Sequence, residues 1–269
     1  MEQRHHSAKG PATDVAHLGT ILEIWAHPDD ESYLAGGLSI RASANGQRVV
    51  CVTATHGEGG GDPTVSRASA ASMRDRELAA ALAVLGVGEH EQFDYPDGGC
   101  EHLDPAAPTD RLAEIIERVR PDTIVTFGPD GVTGHADHRA VSRWATNAWA
   151  ATGYGARLLY ASTLPEFATR YQSAHETIGA FEPGYPIATR RNDLSILLSL
   201  DLPTLQRKRT ALRAHRSQTA MVEALLGEDT YLRWWSDECF RSSPRALGHR
   251  ATRRHGRTGR VRTQESSTA

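Results

Sequence analysis

The chain has 269 residues, 39% of them apolar and 23% charged, which is ordinary globular composition and enough to bury a sizeable core. Its formal net charge of −3 gives no field of one sign, so neither nucleic acid nor a membrane surface is an expected partner. Three widely separated cysteines, Cys51, Cys100 and Cys239, exclude a disulfide framework and a thiolate zinc knuckle, and fit a reducing compartment.

Along the chain, residues 1–19 read as a flexible extension. His5, His6, Lys9, Asp14 and His17 interrupt any apolar leader, and no later stretch reaches the length of a membrane span, so a cytoplasmic location is expected. Apolar runs of strand length then alternate with segments of helical period. Strands are expected at residues 20–26, 48–54, 91–95, 122–127 and 157–162. Between them, residues 74–85 read as a helix closed by Gly86, and 109–119 as one capped by Thr109 and stopped before Pro121. Beyond Thr163 the pattern loosens to a strand at 194–200, a helix at 202–215 and part of another at 221–226. The expected domain, residues 20–240, is therefore α/β: a Rossmann-like open, mostly parallel sheet with helices on both faces. Residues 241–269 read as a disordered tail, because Arg241 to Arg262 holds eight arginines and no acidic residue.

Two clusters carry chemistry. The first strand runs into His27-Pro28-Asp29-Asp30-Glu31, and the fourth into a Gly-rich turn ending in Gly134-His135-Ala136-Asp137-His138. Both sit at the carboxyl ends of strands, and if the chain reverses beside the first strand they face one crevice at the switch point. Carboxylates packed this closely need a compensating cation. Catalytic zinc commonly takes three His or carboxylate ligands and leaves a fourth position for water. His27, Asp30 and His138 make up such a set, with Asp29 beside it as a base. Asp137 is placed to orient a neighbouring histidine ring, although a carboxylate at a helix N-terminus explains it equally well.

These two motifs and their separation resemble the LmbE-like, or PIG-L, deacetylase family, over roughly residues 20 to 240. Weaker matches are Thr55-His56-Gly57-Glu58-Gly59, Arg74-x-x-Glu77-Leu78, and Lys208 with His215-x-Ser217-Gln218. The resemblance implies His27, Asp30 and His138 as ligands of zinc or another divalent metal such as Fe2+. It implies Asp29 as general base, and His135 as the group that stabilises the oxyanion or protonates the amine. Arg74, Glu58, Asp97 and His215 are the expected substrate-binding residues. Structural readings compete here: Arg74 and Glu77, at i and i+3, could form a plain surface ion pair, and His215 could simply end a helix. Ala136 stands where many members have proline, which bears only on loop stiffness.

The implied activity is hydrolysis of the N-acyl (acetyl) amide of a GlcNAc-type conjugate, a small-molecule substrate, with self-association left open. Within the family, a mycothiol-conjugate-type amidase or a glycopeptide pseudoaglycone deacetylase is the alternative. Outside it, the rival is a non-catalytic metal- or nucleotide-binding module. Against nucleotide binding, the first strand is followed by His-Pro-Asp-Asp rather than Gly-x-Gly-x-x-Gly. A serine or cysteine hydrolase is disfavoured too, since no Gly-x-Ser-x-Gly elbow occurs. Aromatic residues are assigned to core packing, except the Trp234–Trp235 pair.

Overall fold

In the computed structural model, residues 10–153 and 155–244 are described. The elements in chain order are β1 (Ile21–Trp25), α1 (Asp30–Ala44), β2 (Val49–Thr55), α2 (Arg67–Leu85), β3 (Glu89–Tyr95), α3 (Ala106–Val119), β4 (Thr123–Phe127) and α4 (Ala136–Ala151). They continue with β5 (Arg157–Ser162), α5 (Pro165–Arg170), α6 (Gln172–Ile178), β6 (Ile196–Ser199), α7 (Leu202–Ala214), α8 (Arg216–Leu226), α9 (Glu228–Trp234) and β7 (Asp237–Ser242).

The seven strands form one sheet in the order β3-β2-β1-β4-β5-β7-β6. β1 to β5 run parallel, and β7 lies antiparallel between β5 and β6. This is the expected fold class, with the chain reversing between β1 and β4, so the two motif-bearing loops open into the same crevice. α1, α2 and α7 pack together, as do α3 and α4. β1, β2 and β4 are buried along their whole length, which is why they read as continuous apolar runs rather than alternating ones.

Several boundaries differ from the sequence reading for identifiable reasons. α2 begins seven residues early because the Ser66 side chain accepts the Ser69 amide and starts the helix before its apolar stripe. α3 starts before Thr109, whose amide already donates to the Pro105 carbonyl. Part of the expected extension packs on the body: Ala12 bridges Ile196 on β6, and Val15 and Leu18 are buried. β7 extends past residue 240, and Ser243 is still buried, its amide donating to the Leu158 carbonyl. Residues 1–9 and 245–269, most of the expected extension and tail, lie outside the described residues. Among the described residues, no helix is long and apolar enough to cross a membrane.

One buried polar knot fastens the last strand to the helices. Glu238 on β7 accepts the Gly37 and Leu38 amides of α1 at 2.6 and 2.8 Å, and pairs with Lys208 of α7 at 2.6 Å. Lys208 also donates to the Tyr33 carbonyl at 2.7 Å. The pair is thus inserted into α1's own hydrogen-bond ladder.

Candidate active site

β1 ends at Trp25, and the turn after it is closed by the His27 amide, which donates to Asp30 Oδ2 at 2.8 Å. This turn delivers His27 and Asp30 to the crevice. The loop after β4 turns through Gly131 and Val132, both at positive φ, and enters α4 with His135 as its cap, which brings His138 in from the other side. His27 Nδ1 lies 3.2 Å from His138 Nε2, and Asp30 lies 3.6 Å from the first nitrogen and 3.3 Å from the second. Ligands about 2.0–2.1 Å from a tetrahedral zinc lie roughly 3.3–3.4 Å from each other. The two ring nitrogens are spaced as two corners of such a site, and Asp30 turns Oδ2 toward the first and Oδ1 toward the second.

The hydrogen bonds behind the rings decide which nitrogens face this point. His138 Nδ1 lies 3.0 Å from the Gly131 carbonyl, which takes its proton and leaves Nε2 bare. His27 Nε2 faces Asp97 at 3.1 Å and Asp137 at 3.3 Å, which take its proton and turn Nδ1 toward His138 Nε2 and Asp30. A cation bound between these groups takes the place of any proton on Nδ1 and contacts all three residues. Two groups of ligand-type atoms lie close enough to hold an ion among the described residues, His27 with His135 and His138, and His27 with Asp97 and Asp137. Asp137, however, already accepts the Gly98 and Cys100 amides, and Asp97 accepts the Gly59 amide, so these carboxylates are better matched to fixing the ring.

Electrostatics agree with positive charge in this cluster. Burial resists ionisation of Asp30, but the two histidines outweigh it and lower its pKa to about 2. Burial pushes His138 down to about 4. For His27 burial opposes the charge too, yet Asp137, Asp30 and Asp97 raise its pKa well above the ordinary value. In other words, the carboxylates around this ring attract positive charge.

Asp29 is held differently from its neighbour Asp30. Its backbone is at φ 114°, a region that disfavours any residue with a side chain. Its carboxylate is 3.5 Å from Arg74, and burial, opposed by that guanidinium, pushes its pKa up to about 6. Arg74 also donates to the Pro28 and Gly57 carbonyls at 2.5 and 2.6 Å. Only glycine fits at residue 57, because a Cβ there would meet the Arg74 guanidinium. The His135 ring accepts the Asp137 amide at Nδ1, 3.2 Å away, which leaves its proton on Nε2.

A cleft of about 630 Å³ opens over this cluster. Its polar lining includes Asp29, Arg67, Arg74, Asp97, His135 and Gln218, and its apolar lining includes Ile178, Phe181, Val222, Trp234 and Trp235. Arg74 and Asp97 thus reach the cleft, as expected of substrate contacts. Glu58 is not on its wall: it accepts from Arg67 and from the Asp97 amide, and so shapes the loop. His215 is fully buried, where it cannot touch a ligand, and lies 2.8 Å from Glu31. Arg74 and Glu77 do not pair with each other among the described residues; Glu77 instead accepts from the amide and hydroxyl of Ser217. Asp137 orients a histidine, but the ring is the sequence-distant His27. Sequence reasoning missed Phe181, which follows α6 in a segment without clear period, and gave no role to Glu31 although it closes the first motif.

Comparison with known proteins places these features in a lineage. Residues 22–149, which contain both motifs, match the family model described as PIG-L, GlcNAc-PI de-N-acetylase. The chain is 32% identical over 226 residues to the 1D-myo-inositol 2-acetamido-2-deoxy-alpha-D-glucopyranoside deacetylase of Saccharomonospora viridis, covering 74% of this chain and 84% of that one. It is 38% identical over 154 residues to deacetylase 2 of the same description from Catenulispora acidiphila, an alignment spanning 48% of this chain and half of the relative. Among solved structures, N,N'-diacetylchitobiose deacetylase from Pyrococcus horikoshii superposes with a TM-score of 0.62 at 23% identity, covering 88% of each chain, a likeness of fold. With 32% identity through most of both chains and a family model matched over residues 22–149, this chain belongs to the PIG-L, or LmbE-like, de-N-acetylase family.

Proposed function

We propose that the protein is a zinc-dependent N-deacetylase acting on a GlcNAc-type conjugate, with a GlcNAc-inositol as the first substrate to test, given the activity of its relatives. The observation that carries this reading is the approach of His27 Nδ1, His138 Nε2 and the Asp30 carboxylate to one another, with the far nitrogen of each ring hydrogen-bonded by the Asp97 and Asp137 carboxylates or the Gly131 carbonyl. Zinc held there supplies polarisation of the amide carbonyl and a water acidified toward neutral pH.

The chain's own residues do the rest. Asp29 adjoins the metal point without belonging to the triangle, and takes the proton of the attacking water. His135, whose Nδ1 accepts the Asp137 amide, turns Nε2 to the cleft and donates a hydrogen bond from it to the oxyanion as the tetrahedral intermediate forms. Asp29 returns the proton it took up to the leaving nitrogen. The C–N bond breaks: water has supplied one oxygen of acetate, one of its hydrogens has passed through Asp29 to the free amine, and the other leaves as the acidic proton of the new carboxylic acid. Asp97 and Asp137 keep His27 in place throughout, and Arg74 keeps Asp29 turned inward.

The test is amine and acetate release from GlcNAc-inositol by purified protein of known metal content. One zinc per chain, one acetate per amine, and loss of both on chelation are expected. Asp30→Ala should lose the metal. Asp29→Asn should keep it while turnover falls by about a hundred- to ten-thousandfold, the usual contribution of a positioned base. Zinc-loaded protein that releases no amine from any N-acetyl amino sugar overturns the reading, and zinc loss in Asp29→Asn with full activity per metal overturns the role of Asp29.

A further inference from the structure

The second catalytic carboxylate is braced from below by a buried pair that no part of the mechanism uses. Asp29 sits at φ 114°, ψ −27°, a strained conformation that persists only where the surroundings enforce it. From above, Arg74 holds the Pro28 carbonyl and approaches Asp29 Oδ2. From below, the Asp29 amide donates to Glu31 Oε2 at 3.0 Å. The other oxygen of Glu31 accepts the Ser32 hydroxyl at 2.6 Å and His215 Nε2 at 2.8 Å. Glu31 and His215 are both fully buried and reach neither the cleft nor the metal point.

His215 is itself fixed at the junction of α7 and α8. Its amide donates to the Leu212 carbonyl, and its carbonyl receives the Gln218 and Thr219 amides. The Ser217 contacts with Glu77 tie the same junction to α2, one turn after Arg74. The helical layer after residue 200, which lies beyond the segment matched by the family model, therefore reaches the strained residue through one chain of hydrogen bonds.

We infer that Glu31 and His215 are positioning residues that act through the Asp29 backbone, holding its carboxylate aimed at the metal point. The inference rests on Asp29 as the base, and it predicts a particular pattern of loss. Without the His215 donor, Glu31 can rotate away from the Asp29 amide and the turn can relax toward negative φ. The carboxylate then swings out of line while the three ligand atoms and the cleft wall stay where they are. Turnover should fall, but metal and substrate binding should not.

The experiment uses the full, zinc-loaded chain on GlcNAc-inositol with His215→Leu and His215→Gln, each alone and combined with Asp29→Asn. His215→Leu is expected to lower kcat by roughly ten- to a hundredfold, the scale of a misplaced catalytic group, with KM within about twofold and zinc retained. His215→Gln keeps an N–H donor toward Glu31 and should recover most of that loss. Once Asp29→Asn has removed the base, adding His215→Leu should cost nothing further, whereas plain structural damage would add to it. Unchanged kcat in His215→Leu, equal loss in the leucine and glutamine variants, or additive loss in the double variant each overturns the inference. If His215→Leu does not fold, Glu31→Gln decides: one amide oxygen cannot replace both carboxylate oxygens, so kcat should drop with KM and zinc unchanged, and full kcat refutes the brace. Should Asp29→Asn alone leave turnover intact, the base assignment has failed rather than the brace.

Discussion

At the scale of single residues, burial makes chemically identical carboxylates behave in opposite ways. Asp30 faces two histidines and stays ionised, whereas Glu23, four residues before His27, lies at the centre of the sheet with only Ser39 and Trp25 as partners. Burial pushes its pKa up to about 8, against a value near 4.5 in the open chain. The sign of the consequence follows. Below about pH 4 both states hold the proton, and Glu23 has no effect on the pH dependence. Between about pH 4.5 and 8 the folded protein keeps a proton that the unfolded chain has released, so stability falls as pH rises through that window and the loss is complete above it. Glu23→Gln cannot ionise, and its amide can still accept from Trp25 and donate to Ser39. Its melting temperature should match the parent's near pH 4.5 and exceed it by at least about 5 °C at pH 8, taking roughly 2–4 °C per kcal/mol for a domain of this size. Thermal scans across that range check this, and a difference that does not grow with pH would mean Glu23 is ionised in the fold.

At the scale of elements, what could be read from the sequence was what local pattern determines. β1, β2 and β4 are buried on both faces, and their unbroken apolar runs announce them. The motif at each strand end is legible because ligand-type residues crowd one short turn. What local pattern does not determine stayed hidden: the start of α2 depends on one serine side chain, and β7 (Asp-Glu-Cys-Phe-Arg-Ser) carries too few apolar residues to read as an inner strand. Nor does spacing show that His215 meets Glu31 rather than a ligand, since 184 residues separate them. β7 holds its place through Glu238, whose two oxygens satisfy two α1 amides and the Lys208 ammonium. Glu238→Ala leaves a buried ammonium without its counter-charge and two amides without an acceptor, a loss of about 3–5 kcal/mol. Denaturant unfolding should show the midpoint dropping accordingly. A change below 1 kcal/mol would mean that Lys208 sheds its proton or finds another partner at little cost.

For the whole molecule, the question is where the folding unit closes at its C-terminal side. Composition places the break at residue 240, because arginines accumulate from Arg241 onward, yet the sheet does not stop there. Phe240 and Arg241 pair with Ala161 and Tyr160, Arg241 reaches Asp130 at 3.2 Å in the loop that leads to His135, and Ser243 is buried against Leu158. An arginine that counts toward a basic tail by composition thus belongs to the sheet and supports the catalytic loop. We predict a sharp boundary. A chain ending at Pro244 keeps every one of these contacts and should melt within about 2 °C of the full chain with unchanged turnover, because the residues removed hold too few large apolar side chains to contribute a core. A chain ending at Ser236 lacks β7, so β6 has no sheet to join, Lys208 is left unpaired and the Asp130 loop loses its anchor. It should fail to unfold cooperatively and should bind no zinc. Melting curves and metal content of the two truncations decide the matter. A large loss of stability on cutting after Pro244 would show that the arginine-rich segment docks on the domain, and a cooperative, zinc-binding protein ending at Ser236 would show that the five parallel strands fold without the antiparallel pair.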